Sequence, residues 1–212
     1  MPIRTRSPIE PPQYTPPEFP YFRPPVESEP TGPENVSHLQ MELLGNADAV
    51  GVDTFAKGDA QGHIDEMGSV AIGYGLVEFA SYASASDGGP VFAAAMTEAS
   101  ATGADFIFSW TTNANGTQNI DGTEIAVSVS RTYLIAIDIE TWEPRHGPIH
   151  VAYETEHEIT HLPASIDEGN FATFAADVLV EGEDTFVDMV LSTLAIEDQL
   201  STVGAIIDFG FL

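Results

Sequence analysis

Four of the six histidines of the chain, His146, His150, His157 and His161, fall within a short stretch. The last two are separated by Glu158, Ile159 and Thr160, and that spacing has a definite chemical use. On a helix, positions four apart share a face, so the imidazoles of His157 and His161 would meet one zinc ion. Glu158, beside the first of them, would then stand against the metal-bound water as its base.

The string His157-Glu158-Ile159-Thr160-His161 resembles the zinc motif of metallopeptidases, and the neprilysin family uses these same five letters. The resemblance implies zinc on His157 and His161, Glu158 as general base, and peptide hydrolysis as the reaction. Glu181 follows His161 at the interval that thermolysin-like enzymes use for a third ligand, and a helix through Val178 to Glu181 would present it. The likeness covers those residues only. Glu154 stands where the family usually carries an uncharged residue, and the family's downstream glutamate-containing helix motif is not identifiable.

The elements around the motif read differently. Ile149, Val151, Tyr153, Thr155, His157, Ile159 and His161 alternate with Ala152, Glu154, Glu156, Glu158 and Thr160. A period of two is the signature of a strand. In a strand the two imidazoles stand about 13 Å apart, too far for one ion. Pro163, two residues past the second histidine, also interrupts any helix there. A polar edge strand is therefore the first reading of these residues, and the zinc centre (His157, His161, Glu181, with Glu158 catalytic) the second.

The same period governs most of the chain. From Gly122 to Trp142, Ile125, Val127, Val129, Tyr133, Ile135, Ile137 and Ile139 fall on alternate positions, rich in β-branched side chains. This stretch is longer than an ordinary strand, so a bend, a bulge or a change of sheet is expected, with Arg131 as the natural place. His38 to Leu43 reads as a strand. Ser69 to Ser84 is apolar or small on both faces, which suits a strand covered on both sides. Phe106, Phe108 and Trp110 share a face in Ala104 to Thr112, before an expected loop at Asn113 to Thr117 and turn chemistry at Asp121-Gly122. Val91 to Ala101 and Asp184 to Ile196 fit either a helix or a strand, Asp184 being a helix cap in the first case.

Residues 1–34 hold eleven of the fifteen prolines, interleaved with Tyr14, Phe19, Tyr21 and Phe22. Proline lacks an amide donor and fixes φ, so an extended arm is expected, with those aromatics as candidates for an interface. Charge excludes several partners. Thirty-three acidic residues against six basic ones give a net charge of −27. Nucleic acid is excluded, because affinity there rests on cations meeting phosphates. No apolar run is long enough to span a bilayer. Self-repulsion of this size would be relieved by salt or divalent cations. The acidic turns Glu181-Gly182-Glu183-Asp184 and Asp65-Glu66 carry oxygens that calcium takes, without the spacing of an EF-hand. No cysteine is present. An acidic, cysteine-free chain ending in Asp208-Phe209-Gly210-Phe211-Leu212 resembles substrates of one-step bacterial export, though the glycine-rich calcium repeat typical of many of them is missing. Export without an N-terminal signal is favoured over a cytoplasmic location.

The expectation is an all-β chain: an antiparallel β-sandwich or meander over 35–212 with an extended proline-rich arm at 1–34, and α+β as the alternative. Its expected function is non-catalytic, a structural or binding subunit of a homomeric assembly of the coat, fibre or surface-layer type, the arm docking on a neighbour. The alternatives are the zinc metallopeptidase and a carbohydrate-binding module stacking sugars on Trp110 and Trp142.

Overall fold

The period of two is realised along the whole described chain. The structure, a computed structural model, describes residues 37–86, 88–140, 147–160 and 169–212. All of these lie within the compact unit Gly32–Leu212. The arm residues Tyr14, Phe19, Tyr21 and Phe22 lie outside the described residues, as do Trp142, His146 and His161.

Among the described residues ten strands follow in order: β1 (Gln40–Val50), β2 (Asp53–Met67), β3 (Val70–Ala85), β4 (Phe92–Thr102), β5 (Phe106–Ile120), β6 (Thr123–Ile139), β7 (Ile149–Glu158), β8 (Asn170–Glu181), β9 (Thr185–Ile196) and β10 (Leu200–Phe211). No helix occurs among the described residues, and none is therefore long and apolar enough to cross a membrane. They form a four-stranded sheet, β4-β1-β10-β9, packed on a six-stranded sheet, β7-β5-β6-β3-β2-β8. The all-β, sandwich-like architecture is thus as expected.

Several details differ. Both ambiguous segments are strands: β4 pairs with β1, and β9 pairs with β10 over its full length. Asp184 does not cap a helix but sits in the turn before β9 at φ 50°. Residues Asn113 to Thr117 are not a loop; β5 runs through them to Ile120. The tight turn is the next one, where Asp121 and Gly122 at φ 53° and 90° give the twist that suits a two-residue hairpin. Nor does β6 bulge at Arg131, since its register with β3 and β5 is unbroken on both sides. Arg131 is accommodated instead, paired with Glu78 directly across on β3 and within reach of the Tyr133 hydroxyl. The meander is also incomplete, because β7 pairs parallel to β5 and β8 parallel to β2.

The two sheets meet in two ways. On one side Phe79, Ile64, Phe209 and Phe211 fill the gap with large buried side chains. Gly58 and Gly62 leave the room these rings need: a methyl group at Gly62 would run into Phe209. On the other side the inner face of β4 is Ala93, Ala95, Thr97, Ala99 and Ala101, and it meets Ser81, Ser128, Ser130 and Thr132. Small side chains let the backbone of β4 approach closely. Ser81 Oγ donates to the Ala94 carbonyl at 2.9 Å, and the Ala95 amide donates to Ser128 Oγ at 3.0 Å. Thr97 Oγ1 lies 2.7 Å from Ser130 Oγ and 2.8 Å from Thr132 Oγ1. These buried hydroxyls satisfy one another, so from Ser128 to Thr132 it is the polar half of the β6 alternation that faces the interior, and Leu134 and Ala136 continue that face.

Candidate interaction surface

If Ser128, Ser130 and Thr132 point inward, the alternate residues of β6 must point out. Tyr133, Ile135 and Ile137 therefore lie on the outer face of the six-stranded sheet, each only half-buried. Register extends them into rows. Tyr133 stands between Trp110 of β5 and Leu76 of β3, with Tyr153 of β7 beyond Trp110. The next row holds Val151, Phe108, Ile135 and Tyr74, and the third Ile149, Phe106, Ile137 and Ile72. Trp110, Tyr74 and Tyr153 are 46%, 50% and 68% exposed. Trp110 and Tyr133 lie with ring centroids 6.4 Å apart.

No charged side chain interrupts these twelve positions. The charges begin one row further on and at the β2 side. Arg131 pairs with Glu78, and Lys57 lies 3.5 Å from Asp59. Both described cations of the chain thus sit on this face. The two-sided cover that the composition of β3 suggests is met in part: Val77 and Phe79 are buried inward and Ala80 and Ser84 on the outer face, while Tyr74 on that same outer face is half-exposed.

One row on the outer face of the four-stranded sheet is acidic, beside exposed apolar side chains such as Met96, Ile206 and Val190. Glu42 lies opposite Asp208, which lies opposite Asp188. Partial burial, then the Asp208 carboxylate beside it and their shared hydrogen bond, then Glu98, push the Glu42 carboxyl above the ordinary glutamate range. Glu140 is raised in the same direction by burial and by Glu66 and Asp138.

Among the described residues the structure does not bring His157, Glu158 and Glu181 together, and His161 lies outside them. His157 is in β7, which is extended, so its side chain and that of Glu158 leave on opposite faces. Glu181 ends β8 at the far edge of the same sheet. Five strand spacings separate the two edges, about 24 Å, so Glu181 cannot join His157 on one ion. His150 is exposed on the opposite face of β7 from His157. Asp65 and Glu66 likewise point to opposite faces of β2. Among the described residues no three histidine, aspartate or glutamate side chains gather as a metal site requires. Of the zinc set, the described His157, Glu158 and Glu181 do not form a zinc centre.

Compared with known proteins, the chain matches no protein-family model, and no curated protein matches it. The uncharged rows on the outer face of the six-stranded sheet are one surface that the fold leaves exposed. Its signal was present in the sequence as two-sided apolarity in β3 and as the serine and threonine half of β6, but which half faces in depends on what β4 brings against it.

Proposed function

We propose that this chain is a non-catalytic structural or binding subunit of a homomeric assembly, of the coat, fibre or surface-layer type. Copies join through the outer face of the six-stranded sheet, and the proline-rich arm, with Tyr14, Phe19, Tyr21 and Phe22, docks on a neighbour. The observation that carries this reading is the uncharged patch itself. It spans about 14 Å between strand axes and more than 13 Å along them before side chains are added. Contiguous apolar patches of about 300–600 Å² are the largest that typical monomers expose, and they are often functional. In a chain of net charge −27, it is also where two copies approach at the least Coulombic cost. Salt, by screening the remaining charge, strengthens the contact.

Light scattering on size-separated protein tests it. Wild type is expected to run as a multimer whose size grows with salt. Trp110→Glu combined with Tyr153→Glu is expected to give monomers, and alanine at the four arm aromatics an intermediate state. A wild-type monomer at every concentration and salt would overturn the proposal. The exposed Trp110 also keeps a carbohydrate reading in view; quenching of tryptophan fluorescence by glycans, absent in Trp110→Ala, would favour it instead.

A further inference from the structure

Resting on the self-association reading, we propose that β9 is the edge through which the four-stranded sheet continues into a second copy of this chain, antiparallel, with Ser192 at the two-fold axis. β9 stands last in its sheet, and among the described residues no strand pairs with its other side. The direction of its backbone groups follows from its ends. The Ile196 carbonyl accepts from the Gln199 amide at 3.1 Å, and the Asp184 carbonyl from the Leu212 amide at 2.9 Å, both toward β10. Successive residues of an antiparallel strand send their amides and carbonyls to opposite sides. Met189, Leu191, Thr193 and Ala195 therefore direct theirs to the open side. The Met189 amide is taken by the carboxylate of Asp188 at 2.9 Å. Leu191, Thr193 and Ala195 remain as a template for another strand.

The side chains are suited to the same occupant. From Met189 to Ile196 no residue is charged. Val190, Leu191 and Leu194 are 61%, 48% and 48% exposed, on both faces of the strand. Register then selects itself by charge. With Ser192 opposite Ser192, Leu191 meets Thr193 of the second copy, Val190 meets its Leu194, and Asp188 meets its Ile196. Sliding one ladder step toward the β9–β10 turn sets Asp188 against Asp198, a like-charge pair. Sliding the other way shortens the uncharged overlap. A strand pair of this length buries less than the roughly 800 Å² per partner of a standard interface. It gains from being linked to the outer-face contact in the same assembly.

The test uses the full chain, which has no cysteine of its own. In the proposed ladder Ser192 falls at a non-hydrogen-bonded pair, where Cα atoms lie about 4.5 Å apart, within the span of a disulfide. Ser192→Cys under mild oxidation is expected to convert most of the protein to a covalent dimer. Ala195→Cys, on the same exposed strand but facing Met189 of the second copy, is expected to cross-link about tenfold more slowly. Equal cross-linking of the two variants, or none at Ser192→Cys while wild type remains multimeric, overturns the edge proposal and leaves self-association standing. Wild type that is monomeric throughout overturns both.

Discussion

β7 and β9 are both edge strands, and both are exposed along nearly their whole length. β7 carries Glu154, Glu156 and Glu158 on one face and His157 at the end of the other. β9 carries a single carboxylate, Asp188, and beyond it eight uncharged residues. A second strand approaching β7 would bring like charges opposite one another, whereas one approaching β9 finds apolar partners on either face. Exposure is common to both edges. Charge is what separates a closed edge from an open one.

Neutralising β7 should erase that difference with the largest effect. Glu154→Thr, Glu156→Thr and Glu158→Thr together are expected to lower the soluble concentration by about tenfold, read as turbidity. A triple variant that stays clear would show that something other than charge keeps β7 unpaired. A smaller effect separates how the two edges are held. Ser130 Oγ donates to Asn113 Oδ1 at 2.7 Å, and Asn113 Nδ2 donates to Glu154 of β7 at 3.0 Å. Ser130→Ala is expected to cost about 1–3 kcal/mol in a urea melt, and to speed amide exchange in β7 while leaving β9 unchanged. Equal acceleration in both would deny that this hydroxyl network anchors β7.

The smallest effect concerns the acidic row beside β9. Because the folded chain holds the Glu42 proton more tightly than the unfolded chain does, stability falls as pH rises from the ordinary glutamate range through the raised value. The loss persists at neutral pH. Glu42→Gln is expected to raise the melting temperature by roughly 1 °C at pH 7 and to change nothing at pH 3, where both forms are neutral. A variant that melts lower than wild type at pH 7 would reverse the assignment.

Much of the sandwich was legible in the alternation of β6 and β7 and in the Asp121-Gly122 turn, because both are local properties of the backbone. Val91 to Ala101 and Asp184 to Ile196 were not decided locally. Alanine favours a helix in the first, and apolar spacing fits either period in the second. Pairing with β1 and β10 settles them by satisfying their backbone groups along the full length. The zinc motif shows the same limit. Its zinc chemistry needs a helix, and the pairing of β7 with β5 holds His157 and Glu158, the first two of its residues, extended.

By itself the sequence determined that the chain would be extended, acidic and free of thiol chemistry, because periodicity, charge and composition need no partner to act. Only the tertiary structure decided which half of each alternation faces inward. On β6 the hydroxyls face the interior because the alanine-lined β4 comes close enough to bond them, and on the other side Ile125 and Val127 are buried while Tyr133, Ile135 and Ile137 stay half-buried. It likewise set β7 and β8 at opposite edges, since a parallel partner is chosen by a crossover that local sequence does not encode.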